Sequence, residues 1–189
     1  MIRSILIIIL TISVTLVNAQ ILFSEDFNAG TMPVNFTTYD VDGLTINPNV
    51  AGACPWTGTS TSFVVCQYSG ETFAASPSLF FSPGTADDWM ITPAINLPNN
   101  ANSKTLEFDA SSADPTALDG VEIYISTTGN TPQDFLTSTA LYNSTTIGEP
   151  VSWTTRNVNL SVYSGQSIYI GFRNNTYNKL ILGIDNVKV

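Results

Sequence analysis

The most informative absence in this chain is histidine, which occurs nowhere among its 189 residues. Without an imidazole, the chain lacks the usual general base, the commonest zinc ligand and every Ser-His or Cys-His nucleophile pair. Triad hydrolases and histidine-ligated zinc enzymes are therefore excluded. A hydrolase that works with two carboxylates, as glycosidases do, is still compatible with the composition.

Basic residues are the second scarcity. Lysine and arginine total 6 against 15 aspartates and glutamates, which gives a formal net charge of −9. Nucleic acids and anionic membrane surfaces are bound through basic patches, so we expect neither as a partner. The acidic balance favours an exported protein that is soluble or that binds cations.

Long apolar runs are confined to the N-terminus. Residues 1–19 combine Arg3, an apolar stretch and the small-residue sequence Val17–Ala19, which together predict a secretory signal peptide. No later run is long enough to span a bilayer, so we expect no membrane insertion after signal removal. Residues 20–189 suit one domain with its own core. The sequence thus predicts a protein that is secreted or held at the cell surface.

Period-two alternation dominates the rest of the chain. Short runs rich in β-branched and aromatic residues recur between turn signals such as Asp42-Gly43 and Asp119-Gly120. This pattern is typical of an all-β fold, a two-sheet antiparallel β-sandwich of the jelly-roll type. We predict ten strands, at Ile21–Phe27, Phe36–Val41, Ser62–Tyr68, Asp88–Ile91, Ser103–Asp109, Gly120–Ser126, Leu141–Ser144, Trp153–Asn159, Ser167–Asn174 and Lys179–Lys188.

Two acids stand on otherwise apolar strand faces near the ends of this domain. Glu25 alternates with apolar residues in 21–27, and Asp185 alternates with apolar residues such as Val187 in 181–189. We therefore expect both side chains to point inward, where a carboxylate is costly unless it is paired or metal-bound. Terminal strands of an antiparallel sandwich commonly meet, so one calcium ion could neutralise both acids. The alternative is an arginine or backbone donors at the rim.

The two cysteines and three aromatic residues suggest a binding loop. Cys54 and Cys66 are predicted to form a disulfide in an oxidising compartment, with two buried thiols as the alternative. That bond would fix the loop that holds Trp56, where a rigid aromatic would suit ligand stacking. Tyr68 and Tyr177 are candidates to flank it. Elsewhere Trp153 could stack on a sugar ring or simply pack on the sheet.

Several short motifs occur in a characteristic order along residues 20–189. They run from an acidic first strand to an Asp-containing last strand: Phe23-Ser-Glu-Asp-Phe27, Tyr39-Asp-Val-Asp-Gly43, Ala86-Asp-Asp-Trp-Met-Ile-Thr-Pro-Ala-Ile-Asn-Leu97, Leu106-Glu-Phe-Asp-Ala110, Ile123-Tyr-Ile-Ser-Thr-Thr-Gly129, Ser167-Ile-Tyr-Ile-Gly-Phe-Arg173 and Gly183-Ile-Asp-Asn-Val187. This pattern resembles the cleaved-adhesin, or choice-of-anchor J, domain of bacterial surface proteins. It is similar, more distantly, to the MAM domain.

The resemblance implies an extracellular jelly-roll module that binds calcium structurally. Carried over to this chain, the calcium role falls on Glu25 and Asp185, with Asp40 and Asp42 as further candidates. The function it implies is a secreted, calcium-stabilised, non-catalytic adhesion or binding module at or near the bacterial cell surface. Its partner would be an extracellular protein or glycan.

Two alternatives belong to other functional classes. One is a carbohydrate-binding module that uses loop or sheet-face aromatics. The other is a carboxylate-dependent glycan hydrolase or lyase, which requires a cleft with two acids about 5–10 Å apart. Asp87-Asp88 and Asp114 could supply such acids, but we expect them to cap turns or to be solvated.

Overall fold

The structure, a computed structural model, describes residues 20–56 and 62–189, so the signal peptide predicted at residues 1–19 lies outside the described residues. Within the described part, no helix is both long and apolar enough to cross a membrane. The strands are β1 Ser24–Glu25, β2 Thr37–Asp40, β3 Val64–Tyr68, β4 Glu71–Pro77, β5 Asp88–Ile91, β6 Ile95–Asn96, β7 Thr105–Ser112, β8 Val121–Ser126, β9 Tyr142–Asn143, β10 Thr154–Asn159, β11 Ser167–Asn174 and β12 Ile181–Lys188; the helices are α1 Pro48–Ala51, α2 Pro132–Phe135 and a 3-10 turn at Ser161–Tyr163.

These strands form two six-stranded sheets in which neighbouring strands are antiparallel. Sheet A has the order β10-β7-β12-β4-β3, with β1 paired to β12, and sheet B has the order β2-β5-β11-β8-β9, with β6 paired to β11. Ser24 lies opposite Lys188, so the first and last strands meet as the sequence predicts. The two-sheet antiparallel β-sandwich predicted from the sequence is confirmed.

Alternation along the strands builds the core between the sheets. In β7, Leu106 and Phe108 are fully buried while the residues between them are more exposed, and Ile170 and Phe172 of β11 are buried from the opposite sheet. The rings of Phe108 and Phe172 meet edge-on with centroids 5.4 Å apart, a favourable aromatic geometry. The main apolar cluster therefore lies between the inner faces of sheets A and B.

Each of the ten predicted strands overlaps an observed one, but β4 and β6 were not predicted. β4 is central in sheet A, between β12 and β3. Its inner part, Ala74 to Ser76, consists of small residues with low β-propensity. The hairpin that joins it to β3 turns at Ser69-Gly70, both with positive φ, as a two-residue turn requires. In the sequence, that Ser-Gly pair was the feature that could have predicted the β3–β4 hairpin.

The prediction that Asp185 faces the core is wrong. Leu182 and Ile184 of β12 belong to the main core, so Asp185 points to the outer face of sheet A. The pairing of β12 with β7 shifts register between Asp185 and Lys188, and Asn186 adopts a positive φ of 50°. This bulge turns Val187 inward, so Val187 and Asp185 do not share a face.

Candidate functional site

Three carboxylates lie close together at one end of the β2–β5 pair in sheet B. Asp40 ends β2, Asp42 follows two residues later, and Asp88 starts β5 directly opposite Asp40. One carboxylate oxygen of each residue lies within 4.8 Å of the others. Asp40 and Asp42 were predicted from the sequence as candidate calcium ligands, whereas the expectation that Asp88 caps a turn or is solvated is wrong.

Asp88 is buried, with 1% of its surface exposed. Its Oδ2 accepts a hydrogen bond from Ser76 Oγ at 2.9 Å, whereas its Oδ1 is buried and has no hydrogen-bond partner among residues 20–56 and 62–189. Burial raises the pKa of this carboxyl well above its ordinary value, and the neighbouring charge of Asp42 raises it further. A buried carboxylate oxygen without a donor costs free energy unless a proton or a cation satisfies it.

The loop after β2 orients the other two acids. Asp40 Oδ1 accepts a hydrogen bond from the Gly43 amide at 2.7 Å, and Gly43 has a positive φ of 61° that suits glycine. Asp42 accepts from the amides of Leu44 at 2.7 Å and Asp87 at 2.6 Å. Burial raises the pKa of Asp42 despite these donors. Backbone amides thus hold both carboxylates beside Asp88.

This donor set fits a hard divalent cation. The three residues offer only oxygen, which calcium and magnesium prefer, and no sulfur or imidazole of the kind that zinc prefers. Calcium takes about 6–8 oxygen ligands, so backbone carbonyls and water would complete its shell. The unpartnered Oδ1 of Asp88 is the specific sign that the residues suit a cation.

Glu25 and Asp185 lie outside this acidic cluster. Glu25 is half-buried opposite Val187, and its Oε1 accepts from the Phe27 amide at 2.7 Å. Asp185 lies opposite Asp109 of β7; burial first, and nearby acids second, raise the pKa of Asp185 to about 6. A calcium ion shared by Glu25 and Asp185 stays a prediction.

Among residues 20–56 and 62–189, neither Arg156 nor Arg173 forms an ion pair with Glu25 or Asp185. Arg156 binds Glu149 at 2.8 Å, and Arg173 binds Asp87 at 2.7 Å and Glu122 at 3.1 Å. The arginine alternative is therefore not observed, whereas the backbone-donor alternative is: Glu25 accepts from the Phe27 amide and Asp185 from the Asn186 amide, each at 2.7 Å.

A second candidate site is a cleft of about 600 Å³ on the outer face of sheet A. The predicted disulfide is confirmed: Cys54 and Cys66 are bonded, with Cα atoms 5.0 Å apart, and both line this cleft. The bond ties the segment that carries α1 to strand β3, so it fixes one wall. Tyr68, Phe73 and Trp153 also line the cleft.

The three predicted binding aromatics are not brought together. Of Trp56, Tyr68 and Tyr177, only Tyr68 is among the described residues that line the cleft. Trp56 is half-buried, and its Nε1 donates to the Ser62 carbonyl at 3.2 Å, while Tyr177 forms an isolated bridge with Thr85. A ligand role for Trp56 and Tyr177 stays a prediction.

Comparison with known proteins places the fold. Hemagglutinin A of Porphyromonas gingivalis (strain ATCC BAA-308 / W83) is 27% identical over 168 residues, which cover 79% of this chain and 7% of that protein. The crystal structure of the K3 cleaved adhesin domain of Lys-gingipain from P. gingivalis W83 superposes with a TM-score of 0.65 at 23% identity, covering 89% of this chain and 96% of that one.

A more distant fold match is the family 11 carbohydrate-binding module from Clostridium thermocellum, with a TM-score of 0.50 at 13% identity, covering 87% of this chain and 91% of that one. At these identities the solved structures show the β-sandwich alone. The family model described as the Cleaved Adhesin Domain matches residues 20–189. The chain therefore belongs to the cleaved adhesin domain family.

Proposed function

We propose that this chain is an extracellular, non-catalytic binding module whose fold is stabilised by calcium at Asp40, Asp42 and Asp88. The observation that carries the calcium assignment is the Oδ1 atom of Asp88, which is buried beside two other carboxylates and has no hydrogen-bond partner in the part of the chain that the structure describes. Three negative charges at this distance repel one another, and a divalent cation would replace that repulsion with attraction.

The composition and the cleft support binding rather than catalysis. The chain has no histidine, and Glu71 is the only acid among the described residues that line the cleft on sheet A. A glycoside hydrolase requires two carboxyl groups across its substrate. The hemagglutinin relative is consistent with an adhesive role, although this chain spans only 7% of its length.

The extracellular location has two supports. Residues 1–19 have the pattern of a secretory signal, and the disulfide between Cys54 and Cys66 suits an oxidising compartment. The description of the matched family as an adhesin domain is consistent with a surface or secreted location. The proposed partner is an extracellular protein or glycan.

The calcium proposal is tested by thermal unfolding in calcium and in EDTA. Binding to the folded state alone adds about 2.7 kcal/mol at a hundredfold excess over Kd, or about 5–10 °C in Tm for a domain of this size. Asp88→Asn keeps the shape of the side chain but removes a charged ligand, so it should lose most of this increment. In EDTA, the same variant should be at least as stable as the parent chain, because one repelling charge is gone.

Two further variants make the outcome specific. Asp114→Asn changes an exposed aspartate that accepts from the Thr116 amide in a turn, so the calcium increment should persist. Asp185→Asn tests the site predicted at the terminal strands. An increment that survives Asp88→Asn but disappears with Asp185→Asn would move the ion to the terminal strands and contradict the proposal.

A further inference from the structure

The cleft on the outer face of sheet A has the size and lining of a ligand site. Its volume of about 600 Å³ falls within the range of about 300–1,000 Å³ that is usual for small-ligand pockets. Strand alternation places Cys66 and Tyr68 of β3, Phe73 of β4 and Gly183 of β12 on this face. The sandwich core lies on the other side of the sheet, so the side chains of Cys66, Tyr68 and Phe73 face the cleft.

Two rings form a fixed aromatic wall. Trp153 and Phe73 meet edge-on with centroids 5.2 Å apart and an interplanar angle of 69°. A Cβ atom at Gly183 would lie only 2.8 Å from Cη2 of Trp153 and 3.2 Å from Phe73, so glycine lets both rings approach the strand. A ring held by packing loses little conformational entropy when a ligand stacks on it.

Tyr68 supplies a third ring, at the hairpin end of β3. It is 66% exposed, although it lies next to a confined two-residue turn. Its cross-strand neighbour is Glu71, so the phenol and the carboxylate project from the same face. Both residues line the cleft. An exposed aromatic ring beside a hydrogen-bond acceptor suits a ligand that has both apolar and hydroxyl surfaces.

The charge of the lining narrows the ligand class. Glu71 is the only charged side chain among the described residues that line the cleft, and Asn49 and Ser69 add neutral polar groups. The chain as a whole carries −9. An anionic ligand would meet repulsion with no cation to offset it, and a purely apolar ligand would desolvate the polar groups without replacing their hydrogen bonds.

From this geometry we propose that the cleft binds a neutral oligosaccharide. Sugar rings stack through their C–H faces on Tyr68 and Trp153, and sugar hydroxyls donate to Glu71 and bond with Asn49. The proposal rests on the binding role proposed above and names its ligand class. It does not involve the acidic cluster of Asp40, Asp42 and Asp88.

The test is titration of the calcium-loaded chain with defined oligosaccharides, followed by saturation-transfer NMR and calorimetry. The neutral probes are mannohexaose, cellohexaose and lacto-N-tetraose, and the anionic probes are sialyllactose and a heparin hexasaccharide. We expect at least one neutral probe to bind at millimolar concentration or below and to be preferred over both anionic probes. Tyr68→Ala should weaken that binding about tenfold, as loss of one stacked ring implies.

Phe81→Ala is the control. It removes an aromatic ring that is 71% exposed and lies outside the lining of the cleft, so binding should not change. Glu71→Gln keeps the side-chain shape and should also weaken binding. The proposal is overturned if no neutral probe binds, if anionic probes bind more tightly, if binding is indifferent to both Tyr68→Ala and Glu71→Gln, or if only a protein ligand competes for the cleft.

The two proposals fail separately. A calcium-dependent rise in Tm without oligosaccharide binding would remove the ligand class and leave the calcium site. Oligosaccharide binding without a calcium effect on Tm would remove the calcium site and leave the ligand class.

Discussion

Asp88 and Asp119 are both buried aspartates, with 1% and 0% of their surface exposed, but they are satisfied in different ways. Asp119 accepts hydrogen bonds from the hydroxyls of Ser78 and Thr176 and from the amide of Leu180. Asp88 accepts only from Ser76, and its nearest charges are other acids. Burial raises the pKa of both carboxyls, so burial alone does not distinguish them.

One buried polar chain joins the two acids. Ser76 donates to Asp88, Asn174 donates to Ser76 at 3.0 Å, the Thr176 amide donates to Asn174 at 3.2 Å, and the Thr176 hydroxyl donates to Asp119 at 2.8 Å. At the Asp119 end of this hydrogen-bond network, both carboxylate oxygens accept hydrogen bonds. At the Asp88 end, Oδ1 has no donor among the described residues. Hydrogen bonds from the protein therefore satisfy the carboxylate of Asp119, whereas the carboxylate of Asp88 requires a cation or a proton to satisfy its Oδ1.

The largest expected effect is that of Asp119→Ala. This change removes the acceptor of the Ser78 hydroxyl and the Leu180 amide, while the Thr176 hydroxyl keeps Asn174 Oδ1 at 2.6 Å, and we expect it to cost about 3 kcal/mol or more of unfolding free energy. The loss should be the same in calcium and in EDTA, as measured by urea unfolding in each. If calcium restored the lost stability, Asp119 would belong to the cation site and the comparison would fail.

Reduction of the disulfide comes next. The bond between Cys54 and Cys66 closes a short loop, for which chain-entropy estimates give about 3 kcal/mol at most. The melting temperature should fall while the sandwich stays folded by circular dichroism. The hydrogen-bond partners of Asp88 and Asp119 do not include Cys54 or Cys66. The calcium increment should therefore survive reduction. Two free thiols in protein purified without reductant would contradict the assignment.

The pH dependence of stability is the smallest effect. An acid whose pKa is higher in the folded state holds its proton longer there, so stability is greatest below the unfolded pKa and falls as pH rises through the folded one. Asp42, Asp88 and Asp119 have raised pKa values, and the pKa of Asp185 is raised to about 6. In EDTA, the unfolding free energy should therefore fall as pH rises from about 4 through about 6.

Calcium should reverse part of that trend, because the ion competes with protons for the same carboxylates. The calcium increment in Tm should be larger at about pH 7.5 than at about pH 5. Asp88→Asn should flatten this difference. An increment that grew toward low pH would indicate a site that carboxylates do not form.

The sequence predicts the strands better than it predicts the acids, for a physical reason. Alternation is a local signal, so β11 was predicted with its observed bounds. The small residues of β4 show little of that alternation, so only the Ser69-Gly70 turn before it indicates a hairpin in the sequence. The environment of an acid, in contrast, depends on which distant strand lies opposite.

Two aspartates illustrate this limit. All four residues of β5 are buried, so no alternation marks Asp88 as core-facing, and its position follows only from its contact with Ser76 of the other sheet. After Asp185, a one-residue bulge at Asn186 turns Val187 inward, so the alternation that groups Asp185 with Val187 fails. The expectation that a core-facing acid binds a cation stays a prediction. The structure places a core-facing acid at Asp88 and turns Asp185 to the outer face. Asp119, taken from sequence as a turn residue, is buried.

Calorimetric titration of calcium into the EDTA-stripped chain tests the central claim most directly. The account predicts saturable binding to the parent chain and to Asp114→Asn, with binding reduced by at least about tenfold in Asp88→Asn, as loss of a charged ligand implies. Calcium binding of equal affinity in the parent chain and in Asp88→Asn, or no binding to the folded parent chain, would contradict it.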